Sequence, residues 1–244
     1  MSHHIDIFTS DTGPQEAERR TAHLATIGEN RVAVVTVSGG MMDLGWAHHL
    51  VQPATDVAKR FATAQVGFTE ASARFVKEIR CTLTEKEQNS RYWCSAEFLL
   101  LELSATTYRT ARLGGLRLWS WGPHFVGPVG REDVFAFPSG GPPVISTASL
   151  LPDVHWKIAE GGGWKLLDES AEADRFAAQV RYAEYDRQGL SCLAVLTHPF
   201  WPEIAETDLA SLSSAQSISN SLQSQVQQAQ LRRRNVLAAL VRIS

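Results

Sequence analysis

The chain predicts an α+β fold, a four-layer α-β-β-α sandwich in which two sheets pack face to face and helices cover their outer faces. Two kinds of stretch lead there. Val32–Val37 and Leu190–Leu196 are nearly unbroken apolar runs, as strands buried on both faces are. Other stretches repeat their apolar residues at helical spacing, giving helices with one face free to cover a sheet. At 244 residues and 44% hydrophobic content the chain can build a core of this size. No internal repeat or linker interrupts it, so residues 1–244 read as one domain.

Taken in order, Ile5–Phe8 alternates as a strand does, and Asp11-Thr12-Gly13 is a turn. Thr21–Ile27 is a second strand, joined by a hairpin turn at Gly28-Glu29-Asn30 to the Val32 strand. From Trp46 to Ala64, Leu50, Val51, Ala54, Val57, Ala58 and Phe61 mark a helix, with Pro53 a kink. Phe68, Ala71, Phe75, Ile79 and Leu83 line one face of a second helix. Strands return at Trp93–Leu103 and Tyr108–Leu113 around a Ser-Ala-Thr-Thr turn, then at Leu116–Trp121 after Gly114-Gly115. Gly127 to Pro143 is loop-rich around a short Val134–Phe137 strand. Ala171–Tyr185 reads as a helix and Leu190–Leu196 as a strand. Ile204–Leu231 reads as a helix with a Ser/Gln-rich middle, and Val236–Ile243 as the closing strand.

Composition narrows the function. A net charge of −3 argues against a nucleic-acid or membrane-surface binder. No apolar run approaches the ~20 residues of a membrane span, and the N-terminus has no signal-peptide core. Cys81, Cys94 and Cys192 are odd in number and outside any CxxC pair, which fits buried thiols in a reducing cytoplasm. His3-His4 and His48-His49 are adjacent, whereas two ligands on one helix face need i,i+4 spacing. The Val32 strand ends in Thr36-Val37-Ser38-Gly39-Gly40, the frame of a metal or phosphate site without a carboxylate or phosphate loop.

These segments, in this order, resemble the PP2C (PPM-type) metal-dependent serine/threonine phosphatases. Asp11-Thr12-Gly13 opens the family's D-x-G-x-x-R-x-x-N-E-D-A pattern, with Glu16 where its phosphate-binding arginine stands and Arg19-Arg20-Thr21 in place of N-E-D. The D-G-x-G-G turn is Thr36-Val37-Ser38-Gly39-Gly40, so Thr36 replaces the metal-bridging aspartate. Gly114-Gly115-Leu116-Arg117 stands for G-D-S-R, and Thr197-His198-Pro199-Phe200-Trp201-Pro202 for S-D-G-L-W-D. Arg234-Asn235-Val236 begins the terminal D-N-x-T pattern. The resemblance implies two antiparallel sheets flanked by helices. In the family, aspartates hold two Mn²⁺ or Mg²⁺ ions that activate a water for attack on phosphate. The segment Val144–Leu190 matches poorly.

Hard cations want carboxylate oxygens, and the matched positions Thr21, Thr36, His198, Pro202 and Arg234 supply none. A threonine hydroxyl is a weak neutral ligand, and arginine stays protonated. The resemblance therefore implies a degenerate site with no metal and no cofactor: a cytoplasmic pseudophosphatase of bacterial type, binding a protein partner such as a kinase or a larger assembly. Two alternatives stay open. Asp43 or Glu203 could rebuild a metal centre, although Asp43 also suits a helix N-cap. Arg20 and Arg234, converging with Thr36 and His198, could hold a phosphate or phosphopeptide, unless Glu16 neutralises them or they belong to solvated charge runs.

Overall fold

A computed structural model describes residues 3–10, 21–41, 44–90, 93–122, 125–129, 180–197, 214–232 and 234–243, with Leu212 and three two-residue strands. The strands are β1 (His3–Ser10), β2 (Thr21–Ile27), β3 (Arg31–Met41), β4 (Leu44–Gly45), β5 (Trp93–Leu103), β6 (Thr107–Leu113), β7 (Arg117–Gly122) and β8 (Phe125–Pro128). They continue with β9 (Ile145–Ser146), β10 (Lys157–Ile158), β11 (Trp164–Lys165), β12 (Arg181–Asp186), β13 (Cys192–Leu196) and β14 (Val236–Ile243). The helices are α1 (His48–Thr63), α2 (Phe68–Ser90) and α3 (Ala215–Leu231).

The strands form two antiparallel sheets. One has the order β1-β14-β13-β7-β8; the other runs β12-β6-β5-β3-β2, with β4 added to β3 and β9 to β5. β10 and β11 pair with each other as a separate two-stranded sheet among the described residues. β13 is the middle strand of the first sheet; in the second, β3 is internal and β5 holds the centre.

Three apolar seams make the four layers, and strand alternation divides residues among them. On β3, Ala33, Val35 and Val37 pack with α1 and α2, while Val32 and Val34 face the other sheet. On β13, Cys192, Ala194 and Leu196 lie under α3, and Leu193 and Val195 point between the sheets. Both faces are covered, which is why these strands read as unbroken apolar runs. The architecture is the predicted α-β-β-α sandwich.

Several local expectations are corrected. Arg181–Tyr185, read as the end of a helix, belongs to β12. Its burial alternates along the strand because it lies on the sheet edge, with one face in water. Helix α1 begins at His48 with Ala47, not Asp43, at its N-cap, and Ala47 makes no side-chain cap. Cys81 is exposed; only Cys94 and Cys192 are buried. The Val134–Phe137 strand, the Asp11–Gly13 turn, the helical reading of residues 171–179 and residues 204–211 lie outside the described residues. Among the described residues, no helix is long and apolar enough to cross a membrane.

Two further devices fix the sandwich. Arg31, Glu102, Arg109 and Glu184 stand directly opposite one another on β3, β5, β6 and β12, a row of alternating charge. Arg31 is buried, bonds Glu102 through Nε at 2.7 Å, and donates to the carbonyls of Ala64 and Val66 between α1 and α2. The row therefore fastens the helical layer to the sheet. Gly28 does the same by close approach: a Cβ there would lie 2.0 Å from the Ala62 carbonyl oxygen.

Candidate functional site

The face of the second sheet that meets the first changes character along its strands. Ala25, Val34 and Leu99 form an apolar cross-strand row. The next row is His23, Thr36 and Glu97, and the one after it Thr21, Ser38 and Ser95. The opposing sheet changes at the same end, from Leu237 on β14 to Asn235 just before it and from Val195 on β13 to Thr197 just after it. A polar corner results where the sandwich opens.

The corner is wired by hydrogen bonds. His23 Nδ1 lies 2.9 Å from Thr36 Oγ1, and its Nε2 lies 3.1 Å from the Asn235 carbonyl oxygen. A carbonyl only accepts, so Nε2 carries the proton and Nδ1 accepts from the Thr36 hydroxyl. Asn235 Nδ2 donates back to the Thr21 carbonyl at 3.4 Å, and the Thr21 and Ser38 hydroxyls are 3.1 Å apart. Ser10 Oγ, at the end of β1, donates to the Arg234 carbonyl at 2.6 Å and accepts from the Val236 N–H at 3.0 Å. The Leu237 N–H donates to Thr197 Oγ1 at 3.0 Å.

Burial sets the protonation states. It lowers the His23 pKa to about 4 against the pull of the Asn235 hydrogen bond, so the ring is neutral near pH 7. It raises Glu97 to about 7, although the Gly115 N–H donates to Glu97 Oε2 at 2.7 Å and favours the anion. Gly114 makes that approach possible. Its φ is +92°, and a Cβ there would come within 2.5 Å of Glu97 Cγ.

Of the residues singled out from the sequence, Thr36 and Thr21 sit in this corner. Arg234 contributes its carbonyl there, and its side chain is exposed. Val37 points the other way, into the core under α1 and α2. Glu16, Arg20, His198 and Pro202 lie outside the described residues, as do Asp43 and Glu203. His23 and Glu97 were missed. Their signal was a polar residue alternating with apolar ones along a strand: Thr21 and His23 on β2, Ser95 and Glu97 on β5.

The corner offers little chemistry. Hydroxyl, imidazole and orienting carbonyl follow one another as in an activated nucleophile. Yet Thr36 is only 7% exposed, and an imidazole with a pKa near 4 is a poor base at neutral pH. A two-metal centre does not fit the described donors either. Both His23 nitrogens are engaged, Thr36 donates its proton to one of them, and Glu97 is the row's single carboxylate. Among the described residues no three His, Cys, Asp or Glu side chains gather as a metal site.

The whole chain is similar to solved PP2C-type phosphatases. The serine/threonine phosphatase Stp1 from Staphylococcus aureus matches with a TM-score of 0.62 and 12% identity, over 100% of this chain and 96% of that one. The catalytic domain of the serine/threonine protein phosphatase PstP, solved with two manganese ions, matches with a TM-score of 0.63 and 10% identity, over 98% and 97%. PppA, a regulatory component of the type VI secretion system (T6SS) in Pseudomonas aeruginosa, matches with a TM-score of 0.60 and 12% identity, over 99% and 98%. No protein-family model and no curated protein matches the sequence. The fold is that of the PP2C phosphatases.

Proposed function

We propose that this PP2C-fold chain is a pseudophosphatase, a single domain over residues 1–244 that acts as a protein-interaction or regulatory module. The observation that carries the reading is Thr36. It stands where the resemblance calls for a metal-bridging aspartate, and its hydroxyl is committed to His23. Without the family's aspartates a pair of hard cations is not held, no water is activated and nothing clamps the charge of a transferring phosphoryl group. A fold kept without its chemistry functions through its surface. The likeness to PppA, a regulatory component in its own system, supports a protein partner, such as a kinase or a larger assembly.

One observation favours a second reading, a divergent metal-dependent phosphatase. β5 brings the carboxyl of Glu97 beside Thr36, a position that no family motif marks. Calorimetric titration with Mn²⁺, together with metal analysis of the purified protein, separates the two. The pseudophosphatase reading expects no stoichiometric binding. Binding abolished by Glu97→Gln selects the divergent enzyme.

A further inference from the structure

We infer that His23 is a clasp between the two sheets that closes this corner to a divalent cation, taking the structural place of a bridging metal. Three features lead to it. The ring stands on β2, at the edge of the second sheet, and reaches the main chain of Asn235, which leads into β14 of the first. Its other nitrogen is held by Thr36 on the neighbouring strand, so the imidazole cannot rotate without breaking both bonds, nor offer its Nδ1 lone pair without losing the Thr36 bond. Asn235 returns a bond to Thr21, so the link between sheets runs in both directions. Among the described residues, apolar packing between the sheets ends one row earlier, at Ala25, Val34 and Leu99. Beyond that row, His23 and Asn235 carry side-chain bonds across the seam.

The geometry makes specific demands. The tautomer is Nε2–H, since only that form satisfies both partners. Thr36 is a positioning residue for the ring: a valine of nearly the same shape leaves Nδ1 without a donor. The clasp is independent of metal, so cation and chelator leave the folded state alike.

The inference shares with the proposed function only the premise that no metal sits in the corner. The test is nitrogen-15 NMR of the histidine side chains in the intact protein. His23 is expected to show a protonated Nε2 and an unprotonated Nδ1, unchanged from pH 8 to pH 5. Equimolar Mn²⁺ leaves these resonances unbroadened and the melting temperature the same as in EDTA. Thr36→Val shifts the Nδ1 resonance and leaves the tautomer intact. An Nδ1–H tautomer, titration at the ordinary histidine pKa, or broadening by Mn²⁺ overturns the clasp. Hydrolysis with an unperturbed His23 would sink the proposed function and leave the clasp standing.

Discussion

Burial pushes His23 and Glu97, the two neighbours of Thr36, in opposite directions, and this gives the corner a pH signature. His23 has a folded pKa of about 4 against an ordinary value of 6.5, so the unfolded chain binds the extra proton between those values. Its contribution is complete above pH 6.5 and is lost as pH falls toward 4. Glu97 has a folded pKa of about 7 against 4.5, so its contribution is complete below pH 4.5 and is lost as pH rises through 7. Each effect is on the order of 2 kcal/mol, since both side chains keep some contact with water. Between pH 4.5 and 6.5 the two oppose each other. Urea denaturation across that range should show Glu97→Gln gaining stability with rising pH and His23→Gln losing it, each relative to wild type. Parallel profiles for the two variants would contradict the assignment. Arg234 bears on the phosphopeptide alternative, and titration of a phosphoserine peptide should give no binding to wild type or to Arg234→Ala. Salt-sensitive binding lost in the variant would favour a sensor. At this scale the family pattern singled out Thr36, which the structure places beside His23 in the polar corner. The sequence was opaque at His23 and Glu97, because which polar residues meet across two sheets depends on register.

Among the elements, the charge row across β3, β5, β6 and β12 separates buried from exposed ion pairs. Arg31 is 5% exposed and also holds two carbonyls near the start of α2, whereas Arg109 and Glu184 are open to solvent. Glu102→Ala leaves a buried guanidinium without its partner and should cost about 3 kcal/mol. Arg109→Ala should cost under about 1 kcal/mol. Chemical denaturation of the two variants measures this, and equal losses would show that the buried pair has no special weight. Gly28→Ala drives a methyl into the Ala62 carbonyl and should cost more than about 2 kcal/mol, because backbone has to move. Elements buried on both faces were readable as apolar runs. β12 was not: Arg181–Asp186 alternates weakly, contains an alanine and two tyrosines, and follows a stretch with a helical pattern. An edge strand is specified by its neighbour β6 more than by its own composition.

For the molecule as a whole, three apolar seams set four layers, and the alternation along β3, β13 and β14 assigns residues to them. That much follows from hydrophobic period, so the sandwich is legible in the amino-acid sequence alone. Function is not legible in the same way, since chemistry resides in a few positions and the fold tolerates their loss. The proposed reading of a domain retained for its surface rests on a corner of hydroxyls, a neutral imidazole and one carboxyl beside tight core patterning. The most direct test is hydrolysis of a phosphoserine peptide by the purified protein, in millimolar Mn²⁺ and in EDTA. The two rates should be equal and indistinguishable from buffer; a Mn²⁺-dependent rate that disappears in Glu97→Gln would contradict the pseudophosphatase account and identify a divergent phosphatase.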